Sequence, residues 1–246
     1  MKALVIIPAR YGSTRFPGKP LAIIHGKSMI QRVYEQAQQV VPDVWVATDD
    51  ARIEHEVKRF GGKAIITSVE HQSGTDRLAE ALSSIPGALK YSVVVNVQGD
   101  EPFIAAEQIQ QLIQLFKQPD TQIATLIKPI TNTEDLMNPN KPKVVIGTNM
   151  QALYFSRSPI PFVRDADKIY WHIAHQYYKH IGIYAYRPQI LLDITKLERS
   201  SLEIAENLEQ LRWLQNNYVI KTAITEYESA SVDTPDDLEK ILNKRF

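Results

Sequence analysis

Hydrophobic positions alternate between two patterns over the first hundred residues. Residues 3–7, Ala3-Leu4-Val5-Ile6-Ile7, form a continuous apolar run with no polar face, which predicts a strand buried on both sides as in a parallel sheet. A loop opens at Pro8. Met29, Ile30, Val33, Tyr34 and Ala37 then recur at helical intervals behind Ser28, which stands three residues before Gln31 at capping-box spacing. The alternation repeats with a strand over 44–48, Asp50 as a cap, and a helix face of Ile53, Val57 and Phe60 closed by Gly61-Gly62. Residues 63–67 predict a third strand, Thr75 a cap for a helix carrying Leu78, Leu82 and Ile85, and 92–97 a fourth buried strand.

This βα alternation predicts an α/β fold built on a doubly wound, mostly parallel sheet, in which ligands bind beyond the carboxyl ends of strands where the order reverses. With strand order 3-2-1-4, the reversal falls between the first and fourth strands. The segments leaving them, from Pro8 and from Gln98, then face one crevice. The second half predicts a helix over about 105–116, a strand over 123–127, and a hairpin of 143–146 with 152–155 around Asn149-Met150. His180, Gly182 and Tyr184 share a face of a strand-like stretch. A continuous helix over 201–215 has Ile204, Leu208 and Leu211 as its core face. Thr234-Pro235-Asp236-Asp237 reads as a helix start, with a cap, a proline in the first position and acids in the first turn.

Composition narrows the function classes. The 246 residues, 44% hydrophobic and 23% charged, suffice for a substantial core, so a single domain or two closely packed lobes are expected. The 28 basic residues equal the 28 acidic ones, which argues against a nucleic acid polymer as partner. With no cysteine, disulfide scaffolds, thiolate zinc sites, iron–sulfur clusters and cysteine nucleophiles are excluded. The apolar segment at 3–9 is too short to span a bilayer and runs into Arg10 without a cleavage-site pattern; no membrane insertion and a cytoplasmic location are expected.

The residues that carry chemistry gather at the predicted crevice. From Pro8 and Ala9 to Pro20, the loop holds Arg10, Arg15 and Lys19 with Gly12 and Gly18, a composition suited to cradling phosphates. It is not a P-loop, because five residues separate its glycines and Pro20 stands where a magnesium-binding Ser or Thr is required. Any metal must be held elsewhere. Asp100, in Gln98-Gly99-Asp100-Glu101-Pro102, supplies the hard oxygen that magnesium prefers, and Asp233 is a second candidate ligand, although each taken alone is more often a turn or capping residue. Ser73, Gly74 and Arg77, within the segment 71–77, put small hydrogen-bonding groups and a cation at a helix start. Arg157 and Arg164 suit a carboxylate, and His180 a polyhydroxylated ligand. Glu209 and Gln210 flank the apolar face of their helix and can reach a sugar hydroxyl or simply face solvent.

Together these segments resemble the 3-deoxy-manno-octulosonate cytidylyltransferase family, of the nucleotide-diphospho-sugar transferase fold. The resemblance runs from Ile6-Ile7-Pro8-Ala9-Arg10 through His71-Gln72-Ser73-Gly74-Thr75-Asp76-Arg77, Val95-Asn96-Val97-Gln98-Gly99-Asp100-Glu101-Pro102, Tyr154-Phe155-Ser156-Arg157 and Leu208-Glu209-Gln210-Leu211-Arg212 to Val232-Asp233-Thr234-Pro235. It departs at Asp76, where glutamate is frequent, and at the proline-containing stretch 138–143. What it implies is activation of 3-deoxy-D-manno-octulosonate (Kdo) by CTP, giving CMP-Kdo and pyrophosphate for lipopolysaccharide biosynthesis. By the same resemblance, Pro8, Ala9, Arg10, Arg15, Lys19, Ser73, Gly74, Arg77 and Gln98 bind CTP; Lys19, Arg10, Asp100 and Asp233 are catalytic. Asp100 and Asp233 hold Mg2+, and Arg157, Arg164, His180, Tyr184, Glu209 and Gln210 bind the sugar. It further implies a homodimer and a division of the one domain into a nucleotide-binding part (1–128), a sugar-binding and dimerisation part (129–225) and a closing segment (226–246). Rival readings are a cytidylyltransferase for 8-amino-Kdo or another sugar acid, a metal-dependent glycosyltransferase, whose usual Asp-x-Asp is missing after the strand at 93–97, and a non-catalytic nucleotide sensor.

Overall fold

The computed structural model describes residues 1–228 and 232–243; residues 229–231 and 244–246 of the expected closing segment lie outside the described residues. The first half alternates as its hydrophobic pattern requires: β1 (Ala3–Ala9), a small ribbon of β2 (Ile23–Ile24) and β3 (Lys27–Ser28), α1 (Met29–Gln38), β4 (Val44–Thr48), α2 (Ala51–Arg59), β5 (Lys63–Ile66), α3 (Gly74–Ser84) and β6 (Val93–Asn96). Then come α4 (Ala106–Leu115), β7 (Ile123–Pro129), α5 (Thr133–Met137), the hairpin β8 (Lys143–Ile146) with β9 (Ala152–Ser156), and α6 (Trp171–Ala174). The chain continues through β10 (Tyr178–Tyr186), α7 (Pro188–Ile194), α8 (Ser201–Glu206), α9 (Gln210–Gln215), β11 (Ile220–Ile224) and α10 (Pro235–Leu242).

The sheet order is β11-β7-β10-β6-β1-β4-β5. Its β5-β4-β1-β6 half is parallel and has the 3-2-1-4 order on which the expected crevice depends, so the reversal falls between β1 and β6. Only β10 runs against its neighbours β6 and β7 in this row, and β8 and β9 extend from it as an antiparallel hairpin. Alternate residues of β1 serve opposite cores. Val5 and Ile7 pack with Ile30, Val33, Ile53 and Leu112 on one face, while Leu4 and Ile6 pack with Leu78, Leu82, Leu191 and Trp213 on the other. Burial on both sides explains why this strand carries no polar position, each such side chain contributing roughly 1.5–3 kcal/mol.

Local signals account for most helix ends. Ser28 accepts the amide of Gln31, Asp50 that of Arg52, and Thr234 that of Asp237. Two expectations are corrected. The cap of α3 is Ser73, whose hydroxyl accepts from Asp76 N at 3.1 Å, so the helix begins before Thr75 and frees that residue's hydroxyl for a tertiary contact. The expected helix over 201–215 is two helices, broken at Asn207 in the left-handed conformation (φ 50°). Asparagine tolerates that conformation, and Arg157 satisfies the carbonyls exposed by the break, with Nε 2.6 Å from Glu206 O and Nη2 3.1 Å from Asn207 O. The break buries Leu208 and Leu211 but leaves Ile204, expected in the core, 61% exposed.

Candidate active site

The loop leaving β1 is folded around Tyr11, whose carbonyl accepts from both Ser13 N and Gly18 N at 2.9 Å. Gly18 is left-handed (φ +70°), and a Cβ there would stand 3.2 Å from the Tyr11 ring, so this closure needs glycine. Beyond it a 3-10 turn, Lys19–Leu21, carries Lys19 inward while Arg10 and Arg15 remain exposed. The loop leaving β6 comes close alongside: a Cβ on Gly99 would lie 2.8 Å from Pro8 O. Main-chain hydrogen bonding from Val232 N to Asp100 O, 3.0 Å, brings the C-terminal segment against that second loop. There Val232 and Ile241 pack with Ile24 and Met29, anchoring Asp233 beside the cleft.

Three distant segments thus converge on one ammonium. Lys19 Nζ lies 2.7 Å from Asp100 Oδ2 and 3.2 Å from Asp233 Oδ1, and Arg15 Nη2 lies 3.3 Å from the same Asp233 oxygen. They line a cleft of about 300 Å³ whose walls include every expected CTP-binding residue: Pro8, Ala9, Arg10, Arg15, Lys19, Ser73, Gly74, Arg77 and Gln98. Asp100 and Asp233 fit a magnesium site by chemistry and by convergence, being two hard carboxylates that already share one cation. Among the described residues no cluster of three or more His, Cys, Asp or Glu stands ready for a metal. A pair suits magnesium, which keeps waters and takes its remaining ligands from substrate phosphates.

Arg77 lines this cleft, but the residue is only 3% exposed and its guanidinium is spent inward. Its Nη2 donates to Asp49 Oδ2 at 2.9 Å, and its Nη1 to Thr67 Oγ1 at 2.6 Å.

The expected sugar-binding residues divide. His180 and Tyr184 face each other on β10 with ring centroids 5.2 Å apart, beside Phe155 and Trp213. Tyr184 pairs across the sheet with Asn96, two residues before Gln98, which puts this aromatic wall on the strand next to β6, although none of its residues lines the cleft itself. Burial pushes the His180 imidazole down to about 4 and the Tyr184 phenol well above its usual range. Glu209 joins the two regions, its Oε2 accepting the hydroxyl of Thr75 at 2.7 Å and its Oε1 accepting from Arg212 at 2.8 Å. Burial raises its pKa against the opposing effects of Thr75 and Arg212. Gln210 is buried, and its Nε2 has no hydrogen-bond partner among the described residues. Arg157 is occupied in the helix break, all three guanidinium nitrogens donating to carbonyls of Pro139, Glu206 and Asn207. Arg164 is exposed in a turn after Phe162-Val163.

Three polar residues escaped the sequence reading. Asp49 holds Arg77 and the amide of Tyr11; Glu80 pairs with His71 and accepts from Ser68 N; Glu206 receives Ser156 and the Arg157 amide. For Asp49 a signal existed: consecutive aspartates at the carboxyl end of a parallel strand, where a cap needs only one.

Residues 4–226 match the family described as Cytidylyltransferase. A 3-deoxy-manno-octulosonate cytidylyltransferase of Parabacteroides distasonis is 57% identical over 246 residues, covering 98% of this chain and 97% of the relative. Its namesake in Bacteroides thetaiotaomicron is 58% identical over 242 residues, covering 97% and 96%. In three dimensions the chain superposes on a CMP:2-keto-3-deoxy-manno-octonic acid synthetase solved with CTP, with a TM-score of 0.90, 46% identity, and coverage of 98% of this chain and 97% of that one. The chain belongs to the 3-deoxy-manno-octulosonate cytidylyltransferase family and has the nucleotide-diphospho-sugar transferase fold.

Proposed function

We propose that this chain joins Kdo to the α-phosphorus of CTP, releasing pyrophosphate and forming CMP-Kdo for lipopolysaccharide assembly. The observation that carries the reading is the Lys19 ammonium held between Asp100 and Asp233 at the switch-point cleft, in a fold shared with a synthetase solved with CTP. The anomeric 2-hydroxyl oxygen of Kdo forms the new P–O bond as its proton passes to solvent, and the bond from the α-phosphorus to the oxygen bridging to the β-phosphorus breaks, its electron pair leaving with pyrophosphate.

In this reading Arg10, Arg15 and Lys19 hold the triphosphate and offset the charge that grows on the α-phosphate and the departing pyrophosphate. Ser73, Gly74, Arg77 and Gln98 surround the cytidine. Asp100 and Asp233 would hold magnesium, which when bound supplies charge neutralisation at the phosphates. His180, Tyr184, Glu209, Gln210 and Arg164 form the side that takes the sugar acid, and Arg157, its guanidinium spent on the Pro139, Glu206 and Asn207 carbonyls, shapes that side by holding the helix break. His180 and Tyr184 are uncharged at neutral pH, so they orient hydroxyls by hydrogen bonding. The unpartnered Gln210 Nε2 is a donor that a polyhydroxylated ligand would satisfy. Most of the rate then comes from alignment rather than proton transfer.

The proposal extends to a homodimer, supported by exposed apolar residues in the second half such as Leu153, Phe162 and Ile173. A cytoplasmic location agrees with the finding that no helix among the described residues is long and apolar enough to cross a membrane.

The test is pyrophosphate release from purified protein with CTP, magnesium and Kdo, beside reactions with 8-amino-Kdo, with ATP in place of CTP, and with the metal chelated. Release only with CTP, metal and Kdo supports the reading. Release with 8-amino-Kdo alone changes the substrate, and none with any acceptor rejects the activity.

A further inference from the structure

We infer that Asp49 is a positioning residue that locks the phosphate loop to the cytidine wall, so that CTP meets a cleft already assembled. The inference rests on the reading of this cleft as the CTP site. Asp49 follows β4 directly, and neither it nor Tyr11 lines the cleft. Its side chain is 13% exposed and its two oxygens serve different walls. Oδ1 accepts the Tyr11 amide at 3.3 Å, and Oδ2 accepts Arg77 Nη2 at 2.9 Å.

Each partner governs one wall. Tyr11 is the closing point of the phosphate loop, since its carbonyl receives the amides of Ser13 and Gly18, and Lys19 follows immediately. Arg77 lies one turn inside α3, behind Ser73 and Gly74, and fastens the start of their loop through Thr67 Oγ1 and Ser68 O at 2.6 and 3.3 Å. Thr67 is itself tied to the end of β4, its amide and hydroxyl donating to Thr48 O at 2.8 and 3.1 Å. One carboxylate therefore sets the phosphate loop relative to the base loop. A loop ordered before binding spares CTP the cost of ordering it, whereas a loosened loop lowers the binding-competent fraction and raises the apparent dissociation constant. Once CTP is bound and the loop closed, the chemical step is unchanged.

The experiment compares wild type with Asp49→Asn, which removes the charge, and Asp49→Glu, which keeps the charge against Arg77 while lengthening the link, each first shown to be folded by circular dichroism. KM for CTP, KM for Kdo, kcat, CTP affinity by calorimetry and amide exchange at Ser13 and Gly18 are measured for each. The expected result for Asp49→Asn is a CTP KM and Kd raised about tenfold, kcat at saturating CTP within about twofold, KM for Kdo unchanged, and faster exchange at both amides. Asp49→Glu shows the same pattern at about threefold, and carries the test by itself if Asp49→Asn does not fold. Wild-type CTP affinity and exchange in the folded variants would overturn the inference, as would a loss confined to apparent kcat, which marks a smaller folded fraction, or an equal rise in both KM values, which marks damage not specific to the CTP loops. A wild-type protein that does not bind CTP would instead remove the functional reading and this inference with it.

Discussion

Lys19 Nζ stands 2.7 Å from Asp100 Oδ2 although 81 residues separate them, and the same ammonium reaches Asp233, 214 residues away. No local element enforces this meeting. It follows from strand order, which sets the exits of β1 and β6 side by side, and from the backbone bond of Val232 to Asp100. Replacing Lys19 by Met removes the ammonium while keeping the length of the stem. We expect turnover with CTP and Kdo to fall by about 10²- to 10³-fold, the scale of losing one preorganised donor at a developing anion. Steady-state kinetics of a folded Lys19→Met protein with near-normal turnover would remove this lysine from the machinery.

The two carboxylates predict a shared metal dependence. Asp100→Asn and Asp233→Asn each retain hydrogen-bonding capacity but lose a hard anionic ligand, so the magnesium concentration giving half-maximal rate should rise about tenfold or more in each. Titrating magnesium at saturating CTP checks this; unaltered titration curves would mean that these residues serve only to pair with Lys19.

Gly99 is predicted to accept no side chain. In Gly99→Ala the added Cβ meets the Pro8 carbonyl oxygen at 2.8 Å, and backbone on both sides leaves the strain no flexible atom to absorb it. The walls of the cleft must part, and CTP affinity should drop by about tenfold, measured by calorimetry.

His180 makes a pH prediction. Burial holds its folded pKa at about 4 against an ordinary 6.5, so between these values the unfolded chain binds the extra proton and stability falls as pH falls. His180→Gln lacks that titration. Wild type should therefore lose more stability than the variant between pH 6.5 and 4 in denaturant unfolding, and parallel curves would contradict the assignment.

Lys143 predicts the opposite side of the scale. It is fully buried, bonded through Nζ to Asn138 O at 2.9 Å, and burial lowers its pKa from 10.5 to about 8. Between those values the folded chain has released a proton that the unfolded chain still binds, so stability attributable to this residue rises with pH. Against Lys143→Met, whose apolar side chain has no such penalty, wild type should gain stability from pH 8 to 10.5. Differential thermal melts of the two proteins read this directly.

Much of this was written locally. The unbroken apolar run of β1, the caps Ser28, Asp50 and Thr234, and the glycines and cations after Pro8 are decided by neighbours in sequence, whereas the insertion of antiparallel β10 between β6 and β7 is not. What escaped was tertiary. The break at Asn207 depends on Arg157 reaching across from β9 to accept the role of a helix cap, which no helical periodicity reveals. With Ser73 as the cap, the Thr75 hydroxyl instead reaches Glu209, 134 residues on, a partner that no local pattern names. Asp49 has a local mark, the doubled aspartate after β4, but its role lies in the two loops it touches.

The central claim is attack on the α-phosphorus of CTP by the sugar acid, and positional labelling tests it most directly. CTP labelled at the α-phosphorus and CTP labelled at the γ-phosphorus are each incubated with the protein, magnesium and Kdo, and the products separated. The α label should appear in CMP-Kdo and the γ label in pyrophosphate, in equal amounts. An α label recovered only as free CMP, or a γ label transferred to the sugar, would contradict the account.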